Sequence, residues 1–316
     1  MNLKDKVAVC SRSFSNNQDL RQELLQRYQN VTFNDEGIKL SGDTLVEFIQ
    51  GHDKAIIALE TVDEYVLSKL PQLKIISKYG VGLDMIDLKA VEKFGVKLGW
   101  TAGVNKRSVA ELVIAFAIAL LRHVPTGNDL VRSGGWKQLI GAQLTGSTFG
   151  IIGCGNVGRD LVKLLQPFNC KILVNDIIDQ HEFYAANNIR PVGIEELLLE
   201  ADIVSMHLPL DISTRDLLNM DKLSLLRPSA ILINVARGGM VDEQSLKELL
   251  MSKKLAAAAF DVFAQEPPSD LELLNLPNFL ATPHIGGSSA EAILSMGRAA
   301  IHSLDYPGIH HQRESI

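Results

Sequence analysis

A chain of 316 residues exceeds one ordinary domain and suits two. With 46% hydrophobic and 22% charged residues it can bury a sizeable core, and a net charge of −6 excludes the basic footprint of a nucleic-acid binder. Three cysteines, Cys10, Cys154 and Cys170, are too few and too scattered for a disulfide framework, which predicts reduced thiols and a cytoplasmic setting.

The chain opens with MNLKDKVAVC, without the long apolar stretch of a signal peptide. VAVC, AIIAL and KIISKYG read as strands, and DLRQELLQRY, GDTLVEFIQG and MIDLKAVEKFG as the helices around them. A longer helix is expected from Ser108 to His123. Its apolar part, LVIAFAIALL, is ten residues long, whereas a membrane span needs about 20, so a buried helix and no membrane are expected. A second block repeats the first: TFGIIG, KILVND, DIVSMH, AILINVA, AAFDVF and FLATPH as strands, GRDLVKLLQPF, GIEELLLEA and DEQSLKELLMSKK as helices. The segment after Ser288 is again helical, and the final HHQRESI reads as a frayed tail. Strands alternating with helices mean βαβ units and parallel sheets, so the fold class is α/β with two doubly wound domains.

GIIGCGNVGRDLVKLL places Gly153, Gly155 and Gly158 as G-x-G-x-x-G directly after a strand and at the start of a helix. The first glycine permits the tight turn, the second lets a pyrophosphate approach the backbone, and the third lets helix and strand pack closely. The helix N-terminus then offers free N–H groups to the phosphates. Asp176 closes KILVND 23 residues after Gly153, near the spacing at which an acid binds the adenosine ribose 2′-hydroxyl. Turn glycines and a capping Asp are the plainer alternative; the strand–turn–helix context favours a dinucleotide, NAD.

Ligands of an open parallel sheet bind outside the carboxyl ends of its strands. His207 ends DIVSMH, Arg237 follows AILINVA, Asp261 lies in AAFDVF and His284 ends FLATPH; Glu266 follows Asp261 in DVFAQEP. Singly, Arg237 could be an ion pair at a sheet edge, His284 a satisfied strand-end histidine and Glu266 a loop acid. Together, at successive strand ends behind a dinucleotide motif, they read as a catalytic set. Gly238, Gly239, Gly286 and Gly287 would let substrate and cofactor come close to the backbone.

GCGNVG, HLPL with the later Thr214, NVARGGMVD, FDVFAQEP and TPHIGG, with KYGVGLDMIDL and AGVNKRSVAEL in the first block, resemble the successive signatures of the D-isomer-specific 2-hydroxyacid dehydrogenases. The resemblance covers nearly the whole chain and is strongest to the phosphoglycerate-oxidising branch in its short form, without an added regulatory domain. It implies that Arg237 binds the substrate carboxylate and polarises the C2 oxygen, that His284 exchanges the hydroxyl proton, and that Glu266 fixes the ring of His284. It further implies Asn156 and Val157 on the pyrophosphate, His207, Pro209 and Thr214 along the cofactor, Val235 and Ala236 ahead of Arg237 on the cofactor side, and Asp261 near the nicotinamide amide. His207 is read as lining the adenine side without proton chemistry, and Cys154 as a small filler of the glycine loop. The backbone around Val81 and Gly82, with Asn105, would hold the substrate carboxylate. No metal is expected.

Two positions depart from the family pattern. Gly103 in WTAGVN stands at the usual proline, and Lys78 stands where phosphoglycerate enzymes often carry arginine. Lys78 is either a point charge for a substrate phosphate or a solvated surface lysine. The expected architecture is a flavodoxin-like substrate domain, residues 1–102 and 288–316, and a Rossmann cofactor domain, residues 103–287, with a cleft between them. By resemblance the helix from Ser108, with RSGGW nearby, packs in a homodimer. The substrate is a small 2-hydroxy or 2-keto acid: 3-phosphoglycerate, glyoxylate, hydroxypyruvate and D-lactate all present a carboxylate beside a C2 oxygen. NAD-sensing corepressors resembling this family form a second class; they recruit partners through long disordered flanks, and no such composition occurs here.

Overall fold

The computed structural model describes residues 2–311, which form two compact units. One unit runs up to Asn105 and resumes at Gly287; the other is Lys106–Gly286. Gly103, Val104, Asn105 and Gly287 thus go with the first unit, a few residues away from the boundaries expected at 102/103 and 287/288. The reason is local: a Cβ on Gly287 would lie 2.9 Å from Asn105 Nδ2, so the two chain crossings pack directly on each other.

The first unit contributes β1 (Asn2–Val9), β2 (Tyr28–Phe33), β3 (Lys54–Ile57), β4 (Ile75–Lys78) and β5 (Lys97–Ala102). The second contributes β6 (Thr148–Ile152), β7 (Lys171–Asn175), β8 (Ile189–Pro191), β9 (Ile203–Met206), β10 (Ile231–Asn234), β11 (Ala257–Phe260) and β12 (Phe279–Ala281). The chain then returns to the first sheet as β13 (Gly308–His311). His310 and His311 of the expected tail therefore pair with Thr101 and Ala102, while its remainder lies outside the described residues.

The first sheet has the order β2-β1-β3-β4-β5-β13, the flavodoxin-like 2-1-3-4-5 with one added edge. The second has β8-β7-β6-β9-β10-β11-β12, the Rossmann 3-2-1-4-5-6 with one added edge. All strands of the second sheet are parallel, and their order reverses between β6 and β9, so the residues following those two strands stand at the switch point where nucleotides bind.

The inner strands show why the reading from hydrophobic runs succeeds. β3, β9, β10 and β11 are buried at every position, as parallel strands covered on both faces must be. β2, β5 and β8 carry no such run. β2 alternates with solvent along YQNVTF, β8 is only three residues, and β5 includes Lys97, Gly99 and Thr101. DLRQELLQRY is a helix only over Gln18–Leu25; Tyr28 already begins β2.

The apolar helix is Lys106–Leu121, two residues earlier than expected at each end. It buries Val109, Val113, Phe116 and Leu120 in a core shared with Phe149, Ile151, Ile231 and Ile233 of the sheet. Burying such side chains stabilises by about 1.5–3 kcal/mol each, which accounts for its lack of a polar face on that side. No single helix among the described residues is long and apolar enough to cross a membrane.

Candidate active site

The three glycines of the loop after β6 have three different surroundings. Gly153 has φ 92°, and a Cβ there would meet His207 O and Leu208 Cδ2 at 2.8 Å. A Cβ on Gly158 would lie 2.4 Å from Gly153 O. Gly155 is exposed, with nothing within 4 Å of its would-be Cβ. The first and third glycines let backbone pack on backbone, and the second leaves room for a ligand. Gly155 also precedes the helix Asn156–Leu165 without any side-chain cap on that helix. Exposed Asn156 and half-buried Val157 begin the helix, and N–H groups of an uncapped helix start are what an anion site requires. Nearby, Arg107 clasps Asp160 of this helix through Nε and Nη2, at 2.7 and 3.1 Å, a bidentate pair absent from the reading of sequence motifs.

Asp176 follows β7 and accepts from Cys154 N at 2.5 Å and Ile178 N at 2.8 Å. It therefore ties the glycine loop to the turn after β7, and a carboxylate with four lone-pair sites still has acceptor capacity for a ribose hydroxyl. Cys154 is buried, and burial pushes its thiol up to about 12, with Asp176 adding to the shift. Such a thiol is no nucleophile at neutral pH.

His207, after β9, hydrogen-bonds Ser205 Oγ through Nε2 at 2.9 Å. Burial pushes its pKa down to about 3, which keeps the ring in its neutral form. Thr214 Oγ1 donates to Pro209 O at 2.7 Å and accepts from Asp211 N at 2.8 Å, which folds the exposed loop after β9 onto itself.

β10 ends in a turn that Asn234 builds. Its buried side chain accepts from Ala236 N at 3.1 Å and donates to Arg237 O at 2.8 Å, carrying Val235 and Ala236 around to Arg237. Arg237 is half-buried, and its Nη1 donates to Ala236 O at 2.7 Å. Gly238 is not kept small for a ligand: a Cβ there would fall 1.9 Å from Phe263 C and O. The backbone that bears Phe263 and Ala264 lies directly against the Arg237 turn.

His284 follows β12 with φ 56°, a left-handed conformation that non-glycine residues rarely adopt. Its N–H donates to Asp261 O at 2.9 Å and Thr282 O at 3.1 Å. Asp261, only 1% exposed, accepts from Thr282 Oγ1 at 2.5 Å, Ile285 N at 2.7 Å and Gly286 N at 2.7 Å. The carboxylate expected beside the nicotinamide amide is thus turned into the protein, where it clamps the loop that holds His284. A Cβ on Gly286 would lie 3.1 Å from Asp261 Oδ2, so that glycine serves the clamp as well. Ser108 Oγ donates to Gly286 O at 2.7 Å and closes the loop from the other side.

The ring of His284 meets Glu266 through Nδ1 and Oε2 at 2.9 Å, and Glu266 Oε1 accepts from Phe263 N at 3.1 Å. Nδ1 is thereby committed to the carboxylate, which leaves Nε2 for chemistry. Arg237, Asp261 and His284 stand after β10, β11 and β12, three adjacent strands, with His207 after the next strand over.

In the first unit Lys78 is 5% exposed, and its ammonium donates to Ala58 O. It is no solvated surface lysine. Val81 O accepts from Trp100 Nε1 at 2.9 Å, and Val81 and Gly82 are half-buried. Gly103 has φ 70°, in the left-handed region that favours glycine.

Residues 114–286 match the family model for the NAD-binding domain of D-isomer specific 2-hydroxyacid dehydrogenases. Hydroxypyruvate reductase of Thermotoga maritima is 36% identical over 264 residues, covering 82% of this chain and 85% of that protein. The chain belongs to the D-isomer-specific 2-hydroxyacid dehydrogenases. D-3-phosphoglycerate dehydrogenase of Methanocaldococcus jannaschii is also 36% identical, over 82% of this chain but only 50% of its own length. A solved structure from Polaromonas sp., described as a D-isomer specific 2-hydroxyacid dehydrogenase, superposes with a TM-score of 0.88 at 29% identity and 95% coverage of both chains. The dehydrogenase uses NAD, and the three glycine environments suit that cofactor: an open second glycine, an uncapped helix start and an acid after β7.

Asp176 sets the expected choice between NAD and NADP. It is followed by exposed Ile177 and Ile178, and a carboxylate facing a 2′-phosphate repels it. kcat/KM with NADH is expected to exceed that with NADPH by at least about tenfold, on the order of a single charge repulsion of 1.4 kcal/mol. Equal values for the two cofactors would mean that Asp176 serves only the glycine loop.

Proposed function

We propose that the dehydrogenase interconverts a short, unphosphorylated 2-keto acid, of the glyoxylate or hydroxypyruvate kind, and its D-2-hydroxy acid. The observation that carries the reaction is the His284–Glu266 pair at 2.9 Å, on a loop that Asp261 holds in an unusual backbone conformation. When bound, NADH supplies the hydride to C2. His284 Nε2 donates a proton to the C2 oxygen during reduction and takes it back during oxidation, while Nδ1 stays on Glu266. Glu266 fixes the tautomer and orients the ring, itself oriented by Phe263 N. Arg237 offers its planar donor set to the substrate carboxylate and polarises the C2 oxygen. Val81, Gly82 and Asn105 are the proposed substrate contacts of the first unit.

Lys78 supports the unphosphorylated choice. Its ammonium is engaged by Ala58 O, and Glu60 Oε2 accepts from Ala58 N at 2.6 Å, which sets a carboxylate at the same strand end. Lysine held in this way is a poor phosphate ligand, and an acid beside it repels a phosphate.

Steady-state oxidation of NADH with glyoxylate, hydroxypyruvate, pyruvate and 3-phosphohydroxypyruvate tests the reading. Hydroxypyruvate or glyoxylate is expected to give the highest kcat/KM. A preference for the phosphorylated acid would overturn the substrate choice. Tight NADH binding without turnover of any acid would favour the sensor class. The enzyme is proposed as a cytoplasmic homodimer, in keeping with three cysteines outside any disulfide and with exposed Val124, Val131, Trp136 and Ile140 in the segment after the apolar helix.

A further inference from the structure

We infer that Glu243 is a positioning residue for the His284–Glu266 pair, acting through the backbone of Phe263 and Ala264. Glu243 is the first residue of the helix Glu243–Met251, whose N-cap is Asp242. It projects away from its own helix cap and accepts from Ala264 N through Oε1 at 2.7 Å. The neighbouring N–H, that of Phe263, donates to Glu266 Oε1 at 3.1 Å. Glu266 Oε2 in turn meets His284 Nδ1 at 2.9 Å. Two consecutive amides of one loop are thus shared between Glu243 on one side and the orienting carboxylate on the other.

A cavity of about 230 Å³ lies beside the loop, lined by Glu243, Phe263, Ala264, Gln265 and Asp270 among others. On the opposite side Gly238 touches the Phe263 carbonyl so closely that no side chain fits. The loop is backed by the Arg237 turn and anchored by the buried Phe263 ring against Phe260 and Phe279, and beside the cavity the Glu243 carboxylate holds the next amide, that of Ala264. Burial pushes the Glu243 carboxyl up, the bond from Ala264 N partly offsets this, and Asp270 and Asp242 add to the rise. An acid at a helix N-terminus explains its charge but not its reach to Ala264.

The inference rests on the acid–base reading of His284, and the test separates the two. Glu243→Ala is expected to lower kcat about 10–100-fold, the scale of a misplacement of the order of 1 Å, while the Kd for NADH changes less than about twofold. Glu243→Gln, which keeps an acceptor oxygen for Ala264 N, is expected to restore kcat to within about threefold of the wild type. In the Glu266→Ala background, Glu243→Ala is expected to add no further loss, because both act through one group. Amide exchange at residues 263–266, followed by mass spectrometry, should rise in Glu243→Ala and stay low in Glu243→Gln; this measures the tether without any substrate. If Glu243→Ala does not fold, Glu243→Met, of similar length and without the acceptor, replaces it. Effects that multiply in the double variant, a Gln variant no better than Ala, or unchanged exchange would overturn the inference. Wild-type protein without turnover, but with the exchange pattern intact, would remove the acid–base reading and keep the tether.

Discussion

His284→Ala is expected to abolish turnover while leaving NADH binding nearly intact. General acid–base groups contribute about 10²–10⁴-fold, and His284 is placed to act as one. Its Nδ1 is bound to Glu266 at 2.9 Å, and its backbone is held at φ 56° by Asp261 O and Thr282 O. A side chain held so firmly loses little entropy on reaching the reactive geometry. The alanine variant removes the ring but not the backbone bonds to Asp261, so the loop and the glycine-rich region keep their shape. The measurements are kcat with the best 2-keto acid and the Kd of NADH by fluorescence titration. A variant with more than half of the wild-type kcat would take His284 out of the mechanism. A variant that loses NADH affinity and thermal stability together would show that the ring holds the loop.

The sequence was most readable where several rules converge. G-x-G-x-x-G, a preceding apolar strand and an acid 23 residues on all require the same turn, and the structure assigns the three glycines their three separate duties. Polar residues at the ends of apolar runs were equally visible, because a central parallel strand is buried on both faces and a charge marks where it leaves the sheet. The ties between these residues were hidden. Asp261 follows the strand before the one that leads to His284, but only the fold shows its carboxylate turned inward on Ile285 N and Gly286 N. Ser205 is two residues before His207, a spacing that puts both on one face of a strand, and this could have signalled their bond. Glu243 and Ala264 are 21 residues apart with a whole strand between them, so no local pattern announces their contact. Edge strands β2 and β8 escape for a related reason: three of the six residues of β2 and two of the three of β8 face solvent, which erases the hydrophobic run.

Arg237→Lys is expected to be nearly as damaging as Arg237→Ala, with a large rise in KM and a fall in kcat in both. A guanidinium presents a rigid fork to a planar carboxylate, whereas an ammonium can make no pair of parallel bonds to it. A loss in kcat is expected because, in the proposed mechanism, the same fork polarises the C2 oxygen, where negative charge develops; removing one such donor typically costs about 10²–10³-fold. The structure supplies the reason for expecting the fold to survive. The turn that presents Arg237 is closed by Asn234, through Ala236 N and Arg237 O, and those are backbone groups that any residue at 237 provides. The bond from its Nη1 to Ala236 O lies within the turn, and a hydrogen bond of this kind is worth about 1 kcal/mol. Thermal unfolding of both variants should therefore lie within about 4 °C of the wild type, given roughly 2–4 °C per kcal/mol for a domain of this size. A lysine variant with normal kinetics would mean that a positive charge suffices and that no bidentate contact is made. Variants that lose activity only in proportion to their unfolding would assign Arg237 to the sheet end and not to the substrate.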